Sequence, residues 1–357
     1  MVAALGFTLL LLPLGAFVAL QARMDLLIQR NLRAEIEVFY VAEAGLEHAV
    51  AEIAPGTSFD AILAGPDRAL GTADDGVFPF SEGPPAPFPT ASFHYDVHIT
   101  QRRAGVLDLI SSSGGRTGAT KVISAILTRS RLPFTPAAFY IDDASAFDLG
   151  SSDFMLSGLD HRITDRPTAP TGVAAAVPAL ATSRTAIEAQ LRQRLIDNSG
   201  HLVGAGESPS IATTPTVDVQ SLVSACAQRP HVSVAPAAVS MALGTVDAPQ
   251  IAIAANDLEV TGQLTGAGIL VVRGTLRVTG NFAFTGLIVA LGGIVFEPSS
   301  MVQVAGAFWR AASHDPRVHL DGHGAVAYSS AALAAVDDAF PGLLPHPVVI
   351  AGWQEML

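Results

Sequence analysis

The sequence has one cysteine, few charged residues and few aromatic residues. Charged side chains make up 15% and aromatic side chains 6% of its 357 residues. The single cysteine, Cys226, excludes an intramolecular disulfide and a Cys-x-x-Cys metal knuckle, and we expect its thiol to be a small buried apolar group. Basic residues are also scarce, because 20 Lys and Arg face 32 Asp and Glu, for a formal charge of −12. This balance repels a phosphate backbone, so no nucleic-acid partner is predicted.

Familiar catalytic motifs are missing as well. The sequence has no Gly-x-Ser-x-Gly elbow, no His-Glu-x-x-His helix and no phosphate-binding loop. Asp153, Asp160 and His161 flank a predicted strand, where turn chemistry explains them as well as a carboxylate site does. We therefore predict that the chain is not an enzyme. A β-helix polysaccharide hydrolase or lyase is the alternative.

A second polar cluster lies near the C-terminus. His319, Asp321 and His323 alternate along the sequence. On one strand these three side chains would share a face and could ligate zinc, but a solvated polar face explains the alternation equally well.

Apolar residues, by contrast, are abundant: they make up 50% of the chain, and the mean hydropathy is +0.42. Val2–Leu20 is uncharged, and as a helix it would be about 28 Å long, close to the hydrocarbon thickness of a bilayer. Beyond Arg23, apolar residues recur at steps of three and four until Ala54-Pro55-Gly56. We predict one rod over residues 1–53, a transmembrane helix continuing as an amphipathic helix. A transmembrane helix followed by a separate surface helix is the alternative.

The amphipathic part contains the pattern Asn-x7-Phe-Tyr-x-Ala-Glu-Ala-Gly-Leu-Glu. Its members are Asn31, Phe39, Tyr40, Ala42, Glu43, Ala44, Gly45, Leu46 and Glu47. This pattern resembles the N-terminal module of PilX-type minor pilins. The resemblance implies a single-pass inner-membrane protein with a periplasmic or cell-surface C-terminal domain, whose helix packs against other pilins or pseudopilins. The residues expected to form that helix contact are Ile28, Leu32, Ile36, Phe39 and Leu46.

Two features depart from that family. Pilin precursors carry a basic leader before their cleavage site, and none precedes Gly6-Phe7, so we expect the true start to lie upstream of Met1. The positive-inside rule by itself favours the opposite orientation, because Arg23, Arg30 and Arg33 follow the apolar run.

Residues 54–91 are predicted to form a Gly/Pro-rich linker loop. Within it, Asp67, Asp74 and Asp75 lie around two glycine turns. Several carboxylates on one loop could bind Ca²⁺, a hard cation that takes six to eight oxygen ligands. Solvated turn aspartates are the alternative interpretation.

Two β-rich regions follow. Residues 92–132 predict an antiparallel β-meander, because apolar and polar residues alternate in the first strand and glycines mark a turn. Residues 133–357 carry four versions of one pentapeptide, which predict a mainly parallel β-solenoid; a β-sandwich is the alternative. These pentapeptides are Phe154–Gly158, Leu258–Gly262, Leu276–Gly280 and Val302–Gly306. A helical excursion is predicted at about 180–230, opening with a capping box at Thr185–Glu188.

The predicted fold class is thus α+β: a long N-terminal helix, an antiparallel meander, and a β-solenoid with a helical excursion. The predicted function is a structural component of a type IV pilus or pseudopilus, whose β-rich head is exposed for adhesion or priming. A membrane-tethered β-solenoid that binds polysaccharide or polymerises by itself is the first alternative, and the β-helix hydrolase or lyase is the second.

Overall fold

The computed structural model describes the backbone of most of the chain in two compact units. The described residues are 2–53, 59–64, 71–78, 93–103, 105–115, 118–142, 146–150, 153–163, 171–214, 216–311 and 317–356, without the side chains of residues 2–16, 60–61 and 146. Unit 1 comprises Met1–Ser130 and Pro347–Leu357, and unit 2 comprises Arg131–His346.

The regular elements are few long segments in unit 1 and many short strands in unit 2. The helices are α1 (Val2–Glu52), α2 (Phe59–Leu63), α3 (Thr185–Arg194), α4 (Val219–Gln228) and α5 (Ser330–Ala339), with a 3-10 helix at Ile196–His201. The strands are β1 (Phe93–Arg103), β2 (Val106–Gly115), β3 (Thr120–Arg129), β4 (Phe139–Ile141), β5 (Ala146–Leu149), β6 (Phe154–Ser157), β7 (Leu180–Thr182), β8 (Leu202–Val203), β9 (Ile211–Thr213), β10 (Val232–Val234), β11 (Ala237–Leu243), β12 (Gln250–Ala254), β13 (Leu258–Val272), β14 (Leu276–Val278), β15 (Asn281–Ala290), β16 (Ile294–Phe296), β17 (Met301–Arg310), β18 (Arg317–Leu320), β19 (His323–Tyr328) and β20 (Val348–Met356). The predicted α+β class, with an N-terminal helix, an antiparallel sheet and a parallel solenoid, is confirmed.

The sheet of unit 1 has four antiparallel strands in the order β1-β2-β3-β20. The first three form the meander, while β20 returns from the other end of the chain and pairs with β3. A salt bridge between Lys121 and Glu355 joins these last two strands. The alternating and turn patterns that predict the meander contain no signal for this fourth strand, because its partner lies more than 200 residues earlier.

The second half of α1 packs on this sheet through small side chains. Ala42 and Ala49 are completely buried, and Gly45 lies between them on the same face of the helix. A Cβ atom at Gly45 would lie 2.7 Å from Ser111 Oγ and 2.8 Å from the Tyr95 ring. The helix therefore approaches the sheet more closely than any residue with a side chain would allow. We call this contact the seat of the helix.

The localisation predicted for the first half of α1 is wrong. Among the side chains described, from Phe17 onward, no helix is long and apolar enough to cross a membrane. Within the described part from Phe17 onward, the charged residues Arg23, Asp25, Arg30 and Arg33 leave no uncharged run of the required length. The side chains of residues 2–16, which make up most of the predicted uncharged run, lie outside the described part. The expectation of a single-pass inner-membrane protein is corrected accordingly.

Unit 2 is a solenoid of short parallel strands whose side chains align from coil to coil. One buried column contains Leu258, Leu276, Ile294, Val318 and Phe147 in register. The first two steps of this column are 18 residues each, the spacing of the middle two pentapeptides. Such stacking buries the apolar face of each coil against the next coil.

Only two of the four pentapeptides pair directly in register. Leu258 pairs with Leu276, whereas Val302 pairs with Phe282 and Phe154 pairs with Gly324. The other two pentapeptides therefore lie on a different face of the solenoid. A five-residue pattern records burial within one strand, and it does not specify which strand is the neighbour.

A column of glycines forms one corner of the solenoid. Gly268, Gly286 and Gly306 are register partners, and their φ angles are 125°, 126° and 142°. A Cβ atom at Gly286 would lie 2.1 Å from the carbonyl oxygen of Gly268. Glycine is therefore required for two reasons: the backbone conformation has a positive φ angle, and the coil below leaves no space for a Cβ atom.

The helices of unit 2 cover strands whose inner faces already line the solenoid core. On the outer face of β13 and β15, the side chains of Ile269, Val271, Leu287 and Val289 pack in one cluster with residues of α4 and α5. The intervening residues of the same strands point into the solenoid core. These strands are apolar on both faces, as expected for a parallel sheet covered by helices.

The helical excursion contains α3 and α4, but its predicted capping box does not form. The N-cap of α3 is Arg184, and no side chain caps the helix. Glu188 instead accepts hydrogen bonds from Arg192 Nη2 at 3.0 Å and Thr213 Oγ1 at 2.6 Å. Its carboxylate is engaged by a neighbouring strand and by its own helix, which the local pattern does not reveal.

The close approach at Gly45 predicts a large effect of a side chain there. In the Gly45→Val variant, overpacking against Ser111 and Tyr95 should destabilise unit 1 by about 2 kcal/mol or more, despite the better helix propensity of valine. Amide hydrogen exchange of β2 and β3, followed by mass spectrometry, measures the loss in this unit.

The control for this variant is Gly352→Val, because a Cβ atom at Gly352 meets no atom within 4 Å. Its effect should stay within about 0.5 kcal/mol. Equal protection of β2 and β3 in the two variants would refute the close contact at the seat.

The close approach at the glycine corner predicts that Gly286→Ala lowers the stability more than a Gly→Ala substitution at a position whose only restriction is a positive φ angle. Gly206 also has a positive φ, 87°, but a Cβ atom there meets nothing within 4 Å. We expect Gly206→Ala to lower the free energy of unfolding by about 1–2 kcal/mol. Gly286→Ala should lower it by at least about 1 kcal/mol more, because only this substitution displaces the coil below. Hydrogen exchange of β13 and β15 compares the two variants, and similar losses would contradict this account.

Candidate functional site

The candidate site is the part of α1 that extends beyond the seat. Residues 17–33 are all exposed, and burial begins at Ala34, the first side chain that contacts the sheet side of unit 1. We define residues 17–36 as the projecting segment. Its backbone is helical throughout, continuous with the seated half of α1.

The projecting segment exposes many large apolar side chains. Nine of them are between 48% and 66% exposed: Phe17, Val18, Leu20, Met24, Leu26, Leu27, Ile28, Leu32 and Ile36. A large exposed apolar surface of this kind marks a site that contacts another protein or a membrane. Because the residues lie on more than one side of the helix, the segment can contact several neighbours at once.

Charged residues of both signs are distributed between these apolar positions. Arg23, Asp25 and Arg30 are exposed, and Arg33 Nε donates a hydrogen bond to Glu37 Oε1 at 2.9 Å. This last pair lies at the surface, with side chains 83% and 43% exposed, and is worth only a few tenths of a kcal/mol. These charges remain accessible to a partner.

The residues predicted to form the helix contact are divided between the projecting segment and the seated half of α1. Ile28, Leu32 and Ile36 are exposed along the projecting segment, whereas Leu46 is buried in the core of unit 1. Phe39 is half-buried, and its ring lies 6.3 Å from that of Trp353 on β20. The physical reason is position along the helix axis: Ile28 and Leu46 are 18 residues, or five full turns, apart and therefore lie on the same side of α1. Ile28 is exposed because it lies in the projecting segment, whereas Leu46 lies in the seated half.

The Asn-x7-Phe-Tyr-x-Ala-Glu-Ala-Gly-Leu-Glu pattern contributes residues both to the seat and to the exposed surface beside it. Ala42, Gly45 and Leu46 are buried against the sheet, and Ala44 is half-buried. The exposed members of the pattern are Asn31, Tyr40, Glu43 and Glu47. The pattern thus combines a close helix–sheet contact with an outward polar and aromatic surface.

Two polar contacts at the seat were not foreseen from the sequence. Ser113 Oγ donates a hydrogen bond of 2.6 Å to the carbonyl oxygen of Val38, which fixes the helix against β2. His48 Nδ1 and Tyr95 Oη lie 2.6 Å apart. Burial raises the pKa of Tyr95, and the nearby Glu52 carboxylate raises it further. No local motif links these residues, because each pair is separated by at least 47 positions.

The acidic residues considered for catalysis have structural partners. Asp160 accepts hydrogen bonds from the backbone of Ser330 and Ala174, both at 2.8 Å, and so holds the start of α5. Asp153 pairs with His323 at 3.1 Å. His161 Nε2 and Ser157 Oγ lie 2.9 Å apart.

The three residues considered for zinc do not share a strand. β18 ends at Leu320 and β19 begins at His323, so Asp321 lies in the turn between them. His319 Nδ1 lies 3.0 Å from Asp148 Oδ2, whereas His323 pairs with Asp153. Among the described residues, no group of three His, Cys, Asp or Glu side chains is arranged to hold a metal ion.

The calcium prediction involves a loop that is only partly described. Asp67 lies outside the described residues. Asp75 Oδ2 accepts a hydrogen bond of 2.7 Å from the backbone of Gly71, and Asp74 Oδ1 accepts one of 2.8 Å from Thr72 Oγ1. The two described carboxylates therefore organise their own turn, and calcium binding stays a prediction.

The single thiol lies on the buried face of α4. Cys226 is completely buried, and this burial raises the pKa of its thiol to about 11. The thiolate is the nucleophile in cysteine chemistry, so the thiol should be inert near neutral pH.

This burial predicts that Cys226 does not react with a thiol reagent such as DTNB at pH 8 in the native protein. The added thiol of a Gln220→Cys variant is the control, because Gln220 is exposed on the same helix. We expect one equivalent to react in the variant, none in the original protein, and full reaction of both after unfolding in guanidinium. Rapid native labelling of Cys226 would contradict its burial.

Comparisons with known proteins show distant structural likeness and no sequence relative. No protein-family model and no curated protein matches the chain. Among solved structures, the chain is similar to the competence-associated pilin ComZ from Thermus thermophilus, at 10% sequence identity and a TM-score of 0.25, over 91% of this chain and 98% of that chain. A TM-score at this level does not establish a common fold.

Proposed function

We propose that this chain is a structural subunit of a type IV pilus or pseudopilus. In this role the projecting segment packs against the corresponding helices of other pilin-like chains. The observation that carries the proposal is the large apolar surface on a helix whose other half is seated on its own sheet.

The apolar side chains supply the driving force for such packing. Full burial of a Val, Leu, Ile, Phe or Met side chain is worth about 1.5–3 kcal/mol relative to its exposure. Nine such side chains are at least 48% exposed on the projecting segment. A neighbouring helix at 8–10 Å is the usual way to cover a surface of this shape.

The charges favour a partner of the same kind. The projecting segment carries Arg30 and Arg33, whereas Glu43 and Glu47 are exposed on the seated half of the same helix. Parallel copies displaced along their axes could therefore bring opposite charges together. Such complementarity selects register and partner more than it adds affinity.

The pilin-like pattern supports the same interpretation through its geometry. Gly45 and Ala42 form the seat, whereas Ile28, Leu32 and Ile36 lie on the projecting segment and are exposed. The residues that match the family pattern thus leave the outer surface free for assembly.

Unit 2 would be the head that the filament presents for adhesion or priming, without a catalytic role. The carboxylates of Asp153 and Asp160 support this, because the first pairs with His323 and the second holds the start of α5. A hydrolase would need such groups to converge on a substrate groove.

The test is the double variant Ile28→Asp/Leu32→Asp in cells that make the filament. Both side chains are exposed, so the variant should fold normally, yet burying two charges in a helix interface should reduce its incorporation at least about tenfold. Immunoblots of sheared filaments and of whole cells measure incorporation and total protein. Leu46 is unsuitable for this test because it is buried in the core of unit 1.

The matched control is Ile196→Asp/Val239→Asp, which charges two exposed apolar residues of unit 2. This control should enter filaments at the original level. Normal incorporation of the Ile28→Asp/Leu32→Asp variant would refute the proposed function.

A further inference from the structure

Unit 2 contains a groove with three arginines that no step of filament assembly uses. Its volume is about 730 Å³, and its lining includes Arg194, Arg277, Arg317 and His319. Its lining includes residues of β5, β18, β16 and β14, which are neighbours in that order in the sheet. Its remaining wall comes from α3 and the 3-10 helix, through Leu195 and Asn198. We call it the arginine groove.

The register of the strands explains how distant residues come together here. Asp148, His319, Val295 and Arg277 are successive register partners on four adjacent strands. Adjacent strands lie about 4.8 Å apart, so this row is about 14 Å long. Val295 lies between His319 and Arg277 and is only 9% exposed, which makes it the floor of the groove.

The charge of the groove is opposite to that of the chain. Its lining contains three arginines and one carboxylate, Asp148, although the chain as a whole carries a formal charge of −12. Arg277 also pairs with Glu297, at the surface beside the groove. Arg194 is exposed, and no carboxylate among the described residues pairs with it. Planar guanidinium groups bind oxyanions through two parallel hydrogen bonds.

We propose that the arginine groove binds an acidic sugar, through the carboxylate of a uronate unit in a glycan. The guanidinium groups of Arg194 and Arg277 bind carboxylates, and the apolar floor at Val295 contacts the C–H face of a sugar ring. The length of the row favours an extended ligand, since a single inorganic oxyanion needs only one end of it. This binding does not depend on the role of the projecting segment.

Calorimetric titration of the full-length protein with trigalacturonate tests the proposal. Neutral galactotriose and inorganic phosphate are the comparison ligands. We expect trigalacturonate to bind and galactotriose and phosphate to bind at least about tenfold more weakly, because only the first combines oxyanions with an extended ring surface. The Arg194→Gln/Arg277→Gln variant should lose at least about tenfold in affinity for trigalacturonate.

Two further variants test whether trigalacturonate binds in the arginine groove itself. Arg273→Gln removes an exposed arginine of the same unit outside the groove and should leave the affinity unchanged. Asp148→Asn removes the one carboxylate of the lining and should increase the affinity by up to about fivefold. This gain cannot result from misfolding.

Three outcomes would overturn the proposal. Equal binding of galactotriose would show that charge is not recognised, and displacement of trigalacturonate by equimolar phosphate would identify a simple oxyanion site. Absence of trigalacturonate binding at millimolar concentration would remove the acidic-sugar site altogether. In each case the incorporation test of the projecting segment would stand unchanged.

Discussion

The close contact between α1 and its sheet at Gly45 determines how unit 1 uses its helix. Ala42, Gly45 and Ala49 allow the helix axis to approach the strands, and the hydrogen bond from Ser113 to Val38 fixes it there. Burial on this helix begins at Ala34, so the apolar residues before it, among them Ile28 and Leu32, stay exposed. The exposed surface on which the proposed assembly depends is therefore the part of α1 that the seat does not cover.

Unit 2 follows a different constraint, the in-register stacking of short strands. The corner glycines let successive coils approach within the distance that the strand hydrogen bonds require. Strands β13 and β15 are buried on both faces, by the solenoid core and by α4 and α5. This double burial explains why long apolar runs occur in a sheet, and it accounts for much of the high apolar content of the chain.

Most of the polar residues discussed above stabilise the fold, and only a few are available for recognition. Asp160 and Asp218 stabilise helix starts, since Asp160 binds Ser330 at α5 and Asp218 caps α4 through Ser221, which lowers the pKa of Asp218. Cys226 packs as an apolar residue. The arginine groove is different, because Arg194 and Arg277 are exposed and lie outside the apolar core, although Arg277 also pairs with Glu297. Exposed cationic side chains of this kind are accessible to a ligand.

The sequence by itself determined what depends on neighbours along the chain: the helical period of α1, the alternation of β1, and the 18-residue spacing that stacks Leu258 on Leu276. It also supplied the residues of the seat through a local pattern. Only the tertiary structure decided the pairing of β20 with β3, the separation of Leu46 from Ile28, and the row from Asp148 to Arg277. The reason is that periodicity reports the burial of a side chain, whereas strand register and the contacts of a helix depend on partners that no local pattern identifies.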